Sequence, residues 1–218
     1  MDVTDIQITT FFQFDGMPFI TNTVITTWII MVILIVLSAV LIRNLKMVPG
    51  TFQLFFELIL DGVHWLVDNT MGKEKRSFAP YVMALSLYLL FANLTGLVAV
   101  RQPTADLNTT FALAGITFIL VQFHGFRSKK LGYIKGFFQP LPFLFPLNII
   151  SELALPISLS FRLFGNMLGS MIIMLMMYMF IPLLVPIIGH LYFDVFAGVI
   201  QTFIFVMLTM TFITLAMD

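Results

Sequence analysis

Apolar residues run through this chain in blocks long enough to cross a bilayer. A helix needs about 20 consecutive apolar residues to span ~30 Å of hydrocarbon. Five stretches qualify, at residues 24–42, 78–100, 104–126, 142–180 and 190–217. The fourth is much longer than a perpendicular crossing requires, so its helix must tilt strongly or break. Pro182 and Pro186 mark a turn before the fifth.

Residues 49–70 follow a different pattern. Pro49 suits the first turn of a helix. At ~100° per residue, Gln53, Glu57, Asp61, His64 and Asp68 fall within about 80° of one another. Phe52, Phe55, Phe56, Ile59, Val63 and Leu66 cover much of the remainder. This pattern predicts an amphipathic helix lying in the membrane interface. The expected fold is an all-α membrane protein with five transmembrane helices plus one interfacial helix, the last two spans long and strongly tilted. Residues 1–218 read as a single membrane domain, in which 1–21 precede the first span and 140–217 form a tilted helix hairpin. The chain shows no internal repeat, low-complexity tract or separate soluble domain.

Charge decides between five spans and six. With five, Arg43, Lys46, Lys73, Lys75, Arg76, Arg127, Lys129, Lys130 and Lys135 share one side, Arg101 takes the other, and Arg162 is buried. That nine-to-one bias fits the preference of basic loops for the cytoplasm. A sixth crossing at 49–70 would reduce it to seven against three. The expected orientation puts the N-terminus, with Asp2, Asp5 and Asp15, outside and Asp218 in the cytoplasm.

Composition agrees. The chain is 60% hydrophobic and 10% charged, with a mean hydropathy of +1.03; soluble domains are about 25% charged. Eleven basic and eleven acidic residues cancel, so nothing points to nucleic acid. The lack of cysteine excludes disulfides and thiolate metal sites. The fifteen Met and twenty-five Phe read as core and lipid-facing residues.

Against that background the intramembrane polar residues stand out. Arg162 lies in the fourth span, where a guanidinium costs roughly 2.5–3.5 kcal/mol on insertion scales and cannot lose its proton. Taking the span as a helix, Ser151, Leu155, Ser158, Asn166, Gly169 and Ile173 lie within about 40° of it. Gly165 and Gly169 form a small-xxx-small pair, which reads either as a site of close helix approach or as ordinary packing. On the last span His190, Asp194, Ala197, Gln201 and Phe205 form another narrow stripe. Asp194 can shed its charge by taking a proton, which burial favours in a carboxyl. His190, one turn away, either passes protons to it or snorkels to the interface. Asp194 itself either faces a wet cavity or pairs with Arg162. Glu152 lies about 80° around the helix from Arg162 and ~15 Å along it, towards the cytoplasmic side. One acid towards each side, with a fixed positive charge between, suits two aqueous half-channels that must not connect.

The run Leu159-Ser160-Phe161-Arg162-Leu163-Phe164-Gly165-Asn166-Met167 resembles the signature of subunit a of F-type ATP synthase. Gln201-Thr202-Phe203-Ile204-Phe205, followed by Leu208-Thr209, resembles that family's last-helix signature. Pro103-Thr104-Ala105-Asp106 and Leu144-Phe145-Pro146-Leu147-Asn148 are similar to its bacterial-type members. The resemblance covers the chain from the interfacial helix onward; the first 45 residues match only in hydropathy. It implies an ion-translocating stator in a bacterial plasma membrane, with no catalytic chemistry, cofactor or metal of its own. Its implied partners are a ring of c subunits, a peripheral stalk of b subunits, and the rest of the F1Fo complex, all in a lipid bilayer. The residue matching the family's Arg is Arg162, which meets each arriving c carboxylate and favours its ionised form, releasing H+ or Na+. Asn166 and Gln201 match polar positions near this Arg and the outer channel, and Glu152 and Ser158 fall where the inner one is lined. Many bacterial members carry Glu nine residues after the Arg, where this chain has Met171. Many of them lack an acid seven residues before the Gln, where it has Asp194. Asp194 is thereby the expected outer-channel carboxylate.

Two other classes compete. A self-contained proton or sodium channel, or a secondary transporter, would explain the polar residues, but transporters often show internal repeats. A membrane hydrolase needs a nucleophile with a base, or a metal cluster. His64, His124 and His190 lie in separate segments and no HExxH occurs.

Overall fold

The structure is a computed structural model and describes residues 10–14, 17–43, 50–98, 100–130, 132–133, 143, 145–180 and 185–217. Asp2, Asp5, Asp15, Lys46, Pro49, Lys135, Pro142, Leu144, Pro182 and Asp218 lie outside the described residues.

The helices are α1 (Asn22–Arg43), α2 (Thr51–Thr70), α3 (Ala79–Leu94), α4 (Leu107–Lys129), α5 (Phe145–Phe180), α6 (Val185–His190) and α7 (Gly198–Met217), with a π-helical segment, Leu191–Ala197, joining the last two. Five helical stretches are long and apolar enough to cross a membrane: Asn22–Val40, Lys73–Val98, Leu107–Lys129, Phe145–Met179 and Pro186–Met217. They match the five hydropathy blocks, and α2 is not among them. Ahead of α1 the strands β1 (Thr10–Phe14) and β2 (Met17–Thr21) pair antiparallel. A search for spans of about 20 residues did not predict this short hairpin, because each strand is only five residues long; Asp15-Gly16 between the two apolar runs of the sequence was its signal.

Small residues set how closely the helices pack. On α4, Thr110, Ala114, Thr117, Val121 and Gly125 are buried at spacings of three and four, which lets other helices lie against it. It packs on α5 and α7. On α5 the buried stripe is Leu159, Leu163, Met167, Ser170 and Met174, and on α7 it runs from Gly198 through Thr202, Phe205, Thr209 and Ile213. These stripes meet α3 at Val82, Leu85 and Leu89 to form the core. Thr110 and Ser160 share a hydroxyl–hydroxyl hydrogen bond of 3.0 Å across α4 and α5.

Asp106 shows why Pro103–Asp106 is built as it is. Its side chain caps α4 by accepting from the Asn108 amide at 3.0 Å. It also accepts from the Thr23 hydroxyl at 3.1 Å, which ties the start of α1 to the same corner. The other end of α4 carries Arg127 and Lys129, where cations complement the helix dipole.

At 36 residues, α5 is ~54 Å long at 1.5 Å per residue, so it can cross hydrocarbon only at a steep tilt. Pro156 sits inside it and cannot donate to the Glu152 carbonyl one turn back. α2 keeps its amphipathic design. Val67 is fully buried, Val63 and Leu66 pack against the core, and Gln53 donates to Glu57 at 2.8 Å. Leu58 and Trp65 remain exposed, Trp65 at 67%.

Candidate functional site

The polar residues fall into three groups along the last two spans. The first surrounds Asp194, which is 4% exposed and lies within the π-helical segment. A π turn closes its hydrogen bonds one residue further on than an α turn, and such turns are frequent at functional sites. Here it carries Asp194 against the α3–α4 corner. His190 Nδ1 is 2.5 Å from Asp194 Oδ2, and its Nε2 is 2.6 Å from the Tyr178 hydroxyl. Gln102 Nε2 donates to Asp194 Oδ1 and to the Asn93 carbonyl, both at 2.9 Å. Asn93 in turn donates to the Gly198 carbonyl and the Thr202 hydroxyl, and accepts from Thr104 at 2.8 Å. Gly96 makes room for this packing. A Cβ there would lie 2.6 Å from Asp194 Oδ1 and 2.5 Å from Gln102 Nε2. The result is a hydrogen-bonded row, Tyr178–His190–Asp194–Gln102, reaching from the α5 end into the bundle.

The second group is Arg162 with Asn166 and Gln201. Gln201 is buried on α7 and accepts from Asn166 Nδ2 at 2.5 Å, which pins the two long helices together. Arg162 points the other way. It is exposed, as are Ser158, Phe161, Gly165 and Asn166 on the same helix. A Cβ built at Gly165 or Gly169 would meet nothing within 4 Å. Among the described residues Arg162 has neither an acid nor a hydrogen-bond acceptor, and Asp194 is bonded to His190 and Gln102 instead. The alternative of an Arg162–Asp194 ion pair is therefore not the arrangement adopted. A guanidinium in lipid without a partner is expensive.

The third group lies some ten residues before Arg162 on α5. Glu152 is half-buried and accepts from Gln122 Nε2 at 3.2 Å and from the Tyr133 hydroxyl at 3.4 Å. It lines an open cavity of about 460 Å³ with Asn148, Ser151 and Lys129, walled by Phe212, Leu215 and Ala216 near the C-terminal end of α7. Ser158 sits between Glu152 and Arg162 and is exposed on the Arg162 face rather than in this cavity.

Sequence periodicity singled out Arg162, Asn166, Gln201, Asp194, His190, Glu152 and Ser158 as candidates. It did not find Gln102, Asn93, Tyr178, Gln122 or Tyr133, because each reaches its partner across a turn or from another helix. Only the neighbouring Pro-Thr-Ala-Asp run hinted at Gln102. Among the described residues no group of three or more His, Asp or Glu could hold a metal ion.

A polytopic helical bundle with two separate polar clusters and an outward-facing guanidinium between them defines the class: an integral membrane protein with charged groups held within its spans. Residues 24–214 match the family described as ATP synthase A chain. The chain is 40% identical over 217 residues to "ATP synthase subunit a, sodium ion specific" of Propionigenium modestum, which covers 91% of this chain and 74% of that one. It is 42% identical over 194 residues to ATP synthase subunit a of Moorella thermoacetica, covering 88% of each. The subunit a of Geobacter sulfurreducens is 36% identical over 192 residues, 86% of this chain and 83% of that one. This chain belongs to the ATP synthase subunit a family, whose members are ion-translocating subunits of the membrane Fo sector.

Proposed function

We propose that the chain is the stator half of a rotary ion motor, with two half-channels that never join and Arg162 as the charge between them. The observation that carries this reading is Arg162 itself, exposed on a membrane helix beside an open glycine pair, with no acid paired to it among the described residues. An approaching carboxylate on a c-subunit ring supplies the missing partner. Its ionised form is favoured beside a permanent cation, so it gives up its ion there and cannot pass while neutral.

Ions enter on the outer side through Tyr178, His190 and Asp194 and leave on the inner side past Ser158 and Glu152. Asn166 and Gln201 fix the geometry near the Arg. The N-terminus lies outside and the C-terminus in the cytoplasm of a bacterial plasma membrane. α2 lies in the interface, and α5 with the last span faces the ring. The b-subunit stalk and the remaining F1Fo subunits complete the assembly, and catalysis lies in them rather than in this chain.

The row of exchangeable groups at Asp194 favours a proton as the carried ion, since a proton can hop along it. Sodium is the second reading, supported by the name of the Propionigenium modestum relative. ATP-driven transport by the purified complex in liposomes, with and without sodium at several pH values, separates them. Sodium-independent acidification is the expected result, and transport that requires sodium rejects the proton.

A further inference from the structure

The cavity beside Glu152 contains more apparatus than an ion exit needs. The last residue of α4, Lys129, is followed by Lys130 at φ 50°, which turns the chain back on itself. Tyr133 then donates its backbone N–H to the Lys130 carbonyl at 3.2 Å. Its ring rests on Gly125 so closely that a Cβ there would lie 2.6 Å from Tyr133 Cε2. The ring also packs against Phe126, with centroids 4.8 Å apart. This end of α4 is fastened to the last helix, since Ser128 donates to the Met217 carbonyl at 2.9 Å and Lys129 to that of Leu215 at 3.5 Å. Tyr133 is therefore held in a fixed seat at the mouth.

From that seat its hydroxyl reaches two side-chain acceptors among the described residues, Gln122 Oε1 at 3.0 Å and Glu152 Oε1 at 3.4 Å. Gln122 Nε2 meanwhile donates to Glu152 Oε2 at 3.2 Å. One hydroxyl proton serves one acceptor at a time. A carboxylate is the stronger acceptor when charged, and the amide oxygen wins when the carboxyl is neutral. The three side chains thus have two arrangements, selected by the charge on Glu152. Tyr133 stays a donor throughout, because burial and the neighbouring Glu152 push its hydroxyl up to about 12. Lys129, Tyr133 and Glu152 are the charged and titratable groups lining the cavity among the described residues.

The geometry points to Tyr133 and Gln122 as positioning residues for Glu152: they hold its carboxylate at the cavity floor and set how readily it takes up a cation from the C-terminal side. This rests on the ion path proposed above and assigns that path's inner mouth a device of its own.

The test is ATP-driven transport by the complete complex in liposomes, titrating the ion (protons, then sodium at fixed pH) on the side that holds the C-terminus. Tyr133→Phe keeps the ring and its seat while removing the donor, and Gln122→Leu removes the other. A carboxylate stripped of donors holds a cation more tightly, so each variant should lower the half-saturating ion concentration by about three- to tenfold. The maximal rate should stay within about twofold, the split expected when binding rather than the transport step is altered. Gly125→Ala, which displaces the ring, should reproduce Tyr133→Phe. Unchanged half-saturation in Tyr133→Phe and Gln122→Leu overturns the inference while the path stands. A loss of maximal rate alone also overturns it, since packing would then be the residues' only task. A parent complex that transports nothing overturns the path and the inference together.

Discussion

Arg162 carries the proposed mechanism, and its exposure is the observation that supports that role. Had it met Asp194 across the bundle, the pair would have been a structural bridge, and breaking it would destabilise the chain. Instead Asp194 is satisfied by His190 and Gln102, and Arg162 is left facing outward. Arg162→Lys tests whether charge alone suffices. A lysine keeps the cation but loses the planar fork, so coupled growth should fail; growth at the parent rate would show that the fork is unnecessary. Asp194→Asn should slow ion entry from the N-terminal side more than tenfold with little effect on assembly, read as the rate of synthesis under an imposed gradient. Gly96→Ala should do nearly the same, because its methyl occupies the place of the Asp194 carboxylate. A Gly96→Ala complex with parental rates would show that the corner yields freely. The identity of these residues could be read from the sequence, since few polar groups survive in apolar spans. Which partner each takes could not. Gln102 and Asp194 are 92 positions apart, and no period links them.

At the scale of elements, hydropathy located every span, and the helical period found α2 and its polar face. Two features escaped it. A constant rotation of ~100° per residue describes α7 but not Leu191–Ala197, where the π turn changes the phase and brings Asp194 to the α3–α4 corner. The β1–β2 hairpin was too short for a span-length search, although Asp15-Gly16 between two apolar runs signalled it in the sequence. The joints between elements make their own predictions. Asp106 both caps α4 and holds Thr23, so Asp106→Ala should lower stability by about 1–2 kcal/mol, seen as a lower Tm in detergent. An unchanged Tm would mean the corner is held by packing alone. Asp68 at the end of α2 receives two hydrogen bonds from Arg76, at 2.7 and 2.5 Å. That bond holds its carboxyl below its ordinary value of 3.8. A group depressed in the folded state stabilises above its unfolded value and loses that contribution as pH falls through the folded one. The α2–α3 joint should therefore be unaffected by pH from neutrality down to about 5 and should loosen only below about 4. Because the pair is exposed, the effect on overall stability should be slight. Amide exchange in residues 62–78 at stepped pH reads this directly, and loosening already at pH 6 would contradict it.

The whole molecule divides its surface by task. α1 is buried at Thr23 and Ile30 but exposes Trp28, Ile35 and Val36, as a helix bathed in lipid should. α5 exposes a mixed stripe of Arg162, Ser158, Asn166 and open glycines, which lipid cannot satisfy. The two acids lie towards opposite ends of the bundle, each held in its own hydrogen-bond network, and no hydrogen bond among the described residues joins the two networks. In the proposed mechanism that separation prevents a direct leak and routes transport through a moving partner. The decisive measurement is ATP-driven ion transport and gradient-driven ATP synthesis by the purified complex carrying Arg162→Ala, reconstituted in liposomes beside the parent complex. The expected result is full assembly with both coupled activities lost, by about a thousandfold or more. An assembled Arg162→Ala complex that still synthesises ATP at the parental rate would contradict it.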